Sequence, residues 1–168
     1  MFKQCRILNK NTNENFYGQI DTELVNVSKY ELTEIPDDNK PYIWQDGQIK
    51  LHLKLIIDAK NNQDNINCTI RFTQGAVING HKLDINTEAK INMLAKLSMT
   101  PDGQNIDWMD FDWNWFTVTK EEFVQLAQGV MDKIQAIYEK RAANVEAFAK
   151  PDLTLEELEA IDIDYSKI

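Results

Sequence analysis

Apolar and polar positions alternate with a period of two through much of the first half of the chain, the spacing of half-buried strands. Residues 2–8 and 16–20 flank a polar stretch at 9–15 and read as a loosely connected hairpin. Residues 30–35 form a further short strand, closed by Pro36-Asp37-Asp38-Asn39. Asp46-Gly47 sits between two apolar segments, a strong hairpin signal because both central residues of a type I′ turn need positive φ. The strand leaving it puts Ile49, Leu51, Leu53 and Leu55 on one side and Lys50, His52 and Lys54 on the other. After a polar loop at 58–65, the alternation returns with Ile66, Cys68, Ile70 and Phe72 facing inward. These two stretches are expected to pair. A third turn, Asn79-Gly80, joins residues 76–78 to 81–85.

From Asn86 the period lengthens. Ile91, Leu94, Ala95 and Ser98 predict the inner face of a short helix, which Pro101-Asp102-Gly103 ends. Residues 106–118 return to an extended pattern rich in rings. Met109, Phe111, Trp113 and Trp115 alternate with Asp110, Asp112 and Asn114, then the apolar side switches to Phe116 and Val118. That switch predicts a turn or bulge near 112–114. Thr119-Lys120-Glu121-Glu122 is a capping box, in which hydroxyl and carboxylate each take up an orphan backbone N–H. Ala127, Val130, Ile134, Ile137 and Arg141 follow at steps of three and four, with Phe123, Tyr138, Val145 and Phe148 widening the stripe. The helix so predicted runs to Ala149, about thirty residues and about 45 Å. Lys150-Pro151-Asp152 stops it, and a second box, Thr154-Leu155-Glu156-Glu157, opens a short one.

The class is therefore α+β. An antiparallel sheet with hairpins fills the N-terminal half, followed by a short helix, an aromatic-rich strand region and a long C-terminal helix. Three stretches follow from the pattern: a β-rich region at 1–75, a strand, helix, hairpin and long-helix region at 76–150, and a capped helix with its tail at 151–168. Composition agrees with a folded core, since 43% of the 168 residues are hydrophobic and four are Trp. Apolar runs are too short to span a bilayer, and the first residues hold no signal-peptide stretch, which predicts a cytoplasmic protein. The net charge is −9, and residues 81–168 carry seventeen acidic against nine basic groups. Such a surface repels phosphate backbones and keeps the chain soluble, so no nucleic-acid partner is expected.

No catalytic residue, cofactor or metal site is predicted. His52 and His81 read as solvent-facing side chains, and Cys5 and Cys68 as buried free thiols. Phosphate loops, nucleophile elbows and zinc-helix motifs do not occur. Asp110, Asp112, Asn114 and Glu121 match calcium-loop spacing, but Trp115 stands where the sharp turn needs Gly. Alternation of acids and rings on a strand produces the same pattern, and Glu121 suits the first turn of a helix. Asp107, Asp110 and Asp112 offer carboxylates for glycan chemistry, without a placement that pairs them. The ring cluster Trp108, Phe111, Trp113, Trp115 and Phe116 divides between core packing and a partner- or sugar-stacking patch, with Trp113 and Trp115 as partner-binding candidates. The outer stripe of the long helix, Ile134, Ile137, Tyr138, Arg141, Val145 and Phe148, is expected to outrun the sheet and seek another polypeptide.

Several stretches resemble an uncharacterised domain family of phage tail proteins. They are Val77-Ile78-Asn79-Gly80-His81-Lys82-Leu83-Asp84 with the helix from Glu88 to Leu97, and Ile106-Asp107-Trp108, Asp112 and Phe116-Thr117-Val118-Thr119 with the long helix to Arg141. The opening, Tyr30-Glu31-Leu32 and Pro41-Tyr42-Ile43-Trp44-Gln45-Asp46-Gly47, is similar to that of small phage tail proteins. Leu153-Thr154-Leu155-Glu156-Glu157-Leu158-Glu159-Ala160-Ile161-Asp162 is similar to the close of tail-fibre assembly proteins. Those often end in a Trp-containing tail, where this chain has Tyr165-Ser166-Lys167-Ile168. The resemblance implies a non-enzymatic tail-fibre assembly chaperone or minor tail component of a phage or prophage. It would act in the host bacterial cytoplasm, or in the virion tail, on a tail-fibre or other tail protein. The long helix is a route to homo-oligomers. The alternative is an acidic anti-defence protein that inhibits a host immune effector by mimicking nucleic-acid charge.

Overall fold

The computed structural model describes residues 2–12, 14–21, 30–35, 40–45 and 48–168. The α+β class holds: antiparallel strands fill the first part of the chain and a long helix dominates the second. The chain divides into two compact units, Met1–Ala59 and Lys60–Ile168.

In the first unit, β1 (Phe2–Asn9) is the centre of a three-stranded sheet. It pairs on one side with β2 (Asn15–Asp21) and on the other with β3 (Tyr30–Glu34), both antiparallel. Cys5 lies opposite Gly18 and Glu34, and its thiol is buried and unbridged. Burial, then the Glu34 charge, push that thiol up from its ordinary pKa. A separate pair, β4 (Tyr42–Gln45) and β5 (Gln48–Leu51), flanks the expected Asp46-Gly47 turn. That turn and the one at Pro36–Asn39 fall outside the described residues.

The sequence expectation fails immediately afterwards. β5 stops at Leu51, and one helix, α1 (Leu53–Phe72), replaces the remainder of that strand, the polar loop and the strand ending at Phe72. No Gly or Pro occurs between Gln48 and Gln74, so nothing in the backbone forbids a helix there. The Asn-rich middle is a poor helix former in isolation, and packing overrides that preference. The buried positions are Asp64, Cys68 and Arg71, spaced four and three. Two of them are charged, so a hydrophobic count could not see the stripe. His52 precedes the helix, and its Nδ1 accepts from the backbone N–H of Leu55 at 3.2 Å, a structural use of a side chain expected in solvent.

In the second unit, the rest of α1 is followed by the hairpin β6 (Ala76–Ile78) and β7 (His81–Leu83). Its turn is as expected, with φ of 47° at Asn79 and 86° at Gly80. Then come α2 (Thr87–Met99), the hairpin β8 (Asn105–Met109) and β9 (Trp115–Thr119), α3 (Lys120–Phe148) and α4 (Leu155–Ala160). Both capping boxes are formed, by Thr119 with Glu122 and by Thr154 with Glu157. Phe123, Leu126, Ala127, Val130, Ile134 and Ile137 on α3 make one wall of the core. Ile78, Leu83, Ile85, Met93, Ile106 and Tyr165 close over them. Gly129 lets β6 lie directly on α3, for a Cβ there would meet Ile78 Cγ2 at 2.5 Å.

The face of α2 is the reverse of the one expected. Met93 is buried to 1% exposure, whereas Ile91 is 59% exposed and Leu94 also faces outward. Apolar residues surround this helix, so periodicity alone does not choose a side. Asn86 caps it, accepting from Ala89 N–H at 2.8 Å, and thereby helps fix which side turns inward.

The carboxylate of Asp64 is fully buried and ties α1 to α3 and to the C-terminal tail. Arg141 Nη1 donates to its Oδ2 at 2.7 Å, while Asn144 Nδ2 and the Tyr165 hydroxyl each donate to Oδ1 at 2.9 Å. Arg141 Nη2 also reaches Asn61 Oδ1 at 3.0 Å. The tail is held further by Asn67 Nδ2 on the Ile163 carbonyl and Asn144 Nδ2 on that of Asp162, and by a Lys140–Asp162 ion pair. Burial, with the Asp64 carboxylate next, holds the Tyr165 phenol far above its usual range, so it remains a donor.

Two outcomes follow. Asp64→Ala should cost about 3–5 kcal/mol in urea unfolding, because it strands the Arg141 charge, while Tyr165→Phe should cost about 1–2 kcal/mol. Met93→Ala should cost about 2–4 kcal/mol and Ile91→Ser no more than about 0.5 kcal/mol, the opposite of the order that the sequence pattern implies.

Candidate functional site

The β8–β9 hairpin holds its rings in two different ways. Trp108 turns into the core and meets Phe123 edge-on, with ring centroids 5.0 Å apart. Trp113 and Trp115 turn out, at 78% and 71% exposure. Large rings in water forgo the burial that normally dominates a small domain, so their exposure needs a cause.

Asp110 supplies it. Its Oδ1 accepts from the backbone N–H groups of Asp112 at 2.9 Å and of Asn114 at 2.8 Å. The backbone adds Asp110 N–H to Asn114 carbonyl at 2.9 Å and Trp113 N–H to Asp110 carbonyl at 3.1 Å. These bonds hold Trp113 at φ 68°, a left-handed conformation that L side chains rarely adopt and that costs about 1–3 kcal/mol. The donors on Asn114, helped by Asp112, keep the Asp110 carboxyl below the usual carboxylate range.

The tip is anchored from beneath. Phe111 N–H donates to the Lys82 carbonyl at 2.8 Å, and Lys82 Nζ lies 4.2 Å from the centre of the Phe111 ring. Gly75, at φ 67°, makes room for that ring, since a Cβ there would stand 2.7 Å from Phe111 Cδ2. Lys82 also pairs with Asp112 at 3.3 Å. Phe111 thus pins the loop to β7 while Trp113 is held clear of the fold.

Between this hairpin and α2 runs an open groove of about 940 Å³, within the range of ligand- and segment-binding clefts. Met93, Trp108, Phe111 and Trp115 supply apolar surface along it. Its charged lining is Asp84, Glu88, Asp107 and Asp110 against Lys96, an excess of negative charge. Asp107 is engaged by the Thr117 hydroxyl and Asp110 by the turn, which leaves Asp84 and Glu88 on the open wall.

The helix candidates divide. Ile134, Ile137 and Phe148 are buried within this chain, contrary to the expectation that the outer half of α3 lacks an internal partner. α1 and the C-terminal tail cover that half, and the strand reading of 53–72 had removed the first of these from reach. Arg141 is occupied by Asp64 and Asn61. Tyr138 and Val145 remain half exposed, Tyr138 tilted against Phe72 with centroids 5.1 Å apart. Trp113 and Trp115 are the most exposed of the candidates.

The calcium-like spacing serves other ends: Asp110 and Asn114 bond each other, Asp112 pairs with Lys82, and Glu121 stands exposed in the first turn of α3. Among the described residues, no three His, Cys, Asp or Glu side chains converge as a metal-binding group. His81, expected in solvent, stacks on Phe116 with centroids 4.0 Å apart. Cys68 is buried and unbridged, on a helix rather than the expected strand. Among the described residues, no helix is long and apolar enough to cross a membrane.

Asp110→Ala should release Trp113 from its backbone conformation, seen as a loss of shift dispersion at Asp112–Asn114 and a change in tryptophan emission while the core signals stay. Since the Asp110 pKa is lowered on folding, the order of the tip should be complete above the ordinary aspartate range. It should fade as pH falls through the lowered value.

Residues 54–166 match the model of a family described as a domain of unknown function, DUF4376, and the chain belongs to that family. No curated protein and no solved structure matches.

Proposed function

We propose that this DUF4376 protein is a non-enzymatic binding factor of a phage or prophage tail, a tail-fibre assembly chaperone or minor tail component. Its grip would be the Trp113–Trp115 hairpin and the groove beside it. The observation that carries the reading is Trp113, held at positive φ by four hydrogen bonds and left 78% exposed. A conformational cost borne to keep an indole in water is understandable when a partner covers it, and Trp is the residue most favoured at interface hot spots. A chaperone needs apolar surface for an incompletely folded chain and enough charge to stay in solution. The hairpin supplies the first and the acidic second half of the sequence the second. This moves the expected grip from the long helix, where Ile134, Ile137 and Phe148 are covered, to the more exposed hairpin tip. The tail assignment itself rests on the sequence resemblance.

The acidic balance of residues 81–168 favours a second reading, an anti-defence protein whose surface imitates nucleic-acid charge. Co-expression with a phage tail-fibre gene separates the two. Wild type should raise the yield of soluble, trimeric fibre, and Trp113→Ala with Trp115→Ala should remove the gain without changing the melting temperature. Direct binding to the fibre polypeptide should weaken about thirtyfold or more in that double variant. Equal yields with and without the protein would sink the chaperone reading. Recovery of an immune nuclease in place of fibre would support the second.

A further inference from the structure

The groove between α2 and the β8–β9 hairpin joins apolar surface to charge of mainly one sign. Asp84, Glu88, Asp107 and Asp110 line it, and Lys96 is the sole base among the described lining residues. The low-dielectric walls of a cleft focus such a field instead of letting it spread over the surface. Asp84 and Glu88 are exposed, and among the described residues neither side chain has a hydrogen bond or ion pair.

The charge is uneven along the groove. Phe111 N–H on the Lys82 carbonyl brings the hairpin tip to the end of β7, two residues before Asp84. The acids at that end therefore share it with the exposed Trp113 and Trp115 rings. Glu88 lies in the first turn of α2 and Lys96 in its last, about 12 Å further along. About four residues of extended chain span that distance. The positive end of the α2 dipole, about half a charge, does not outweigh the carboxylates beside it. A cation entering at the Trp end meets acids and ring faces together; an anion there meets repulsion.

On the reading that hairpin and groove form the grip, we propose that their occupant is a short basic polypeptide segment. One lysine or arginine of the segment sits between the Asp84–Glu88 wall and the two exposed indoles, where cation–π attraction adds to charge pairing. Apolar side chains next to it rest on Trp108 and Phe111, and Lys96 turns a second cation away from the far end. Acidic segments are refused by the same field, so the groove selects by repulsion as well as by contact.

The test titrates the full chain with a short Gly-Ser peptide carrying arginines and leucines, and with counterparts in which glutamine or glutamate replaces each arginine. Amide shifts at 84–96 and 110–115 should move saturably with the arginine peptide, and the glutamate peptide should bind at least about tenfold more weakly. Asp84→Asn with Glu88→Gln should weaken the arginine peptide about five- to tenfold, and Lys96→Gln should tighten it about twofold. Glu146→Gln with Asp152→Asn removes the same charge away from the groove and should change it less than about twofold. Absence of saturable binding, or equal weakening by the two acid pairs, would overturn the proposal, the latter because the attraction would then belong to the acidic chain as a whole. Equal binding of all three peptides, lost in Trp113→Ala with Trp115→Ala, would overturn the basic preference and leave the grip standing. The grip itself fails by a different result, a tail-fibre yield that this tryptophan pair does not alter.

Discussion

One buried carboxylate holds the second unit together. Asp64 lies on a helix rich in Asn, takes three donors from α3 and the tail, and has no exposure to water. Ionised, it would be intolerable alone in such a place; with Arg141 alongside and Asn144 and Tyr165 filling its remaining lone pairs, it becomes a directional joint. Apolar packing would let the three elements slide. Hydrogen bonds of fixed length and angle set their register, and the long helix is covered along its outer half as a result.

The parts of the fold written in local chemistry were legible. Two capping boxes, the Asn79-Gly80 turn and the switch of the apolar side around Asp112–Asn114 each fix the backbone through neighbours a few residues apart. What was not legible depends on partners far away in sequence. Asp64 and Arg71 belong to the inner face of α1, yet a hydrophobic count scores them as surface, so the helix reads as strand, loop and strand. The misreading then propagates, because the first helix, which helps to cover the outer half of the long one, was not in view. In α2, rings of apolar residues on every side left the choice of face to tertiary packing.

The candidate site was half legible. Trp113 and Trp115 stand out by composition, but their exposure follows from a side-chain cage around one positive φ, which an alternating pattern does not announce. The spacing that mimics a calcium loop is the clue that was present. Asp110 and Asn114 do act together, as turn-makers closing on backbone N–H groups rather than on an ion.

The span of the Asp64 contacts also bears on the making of the protein. Arg141 comes 77 positions after it and Tyr165 101 positions after it. A ribosome must therefore add most of the second unit while that acid still sits in water, where its charge costs nothing. The first helix cannot seat until the rod exists, and the tail around Asp162 and Tyr165, which follows the rod, locks both in place. Long-range closure of this kind slows folding and leaves the early helix waiting.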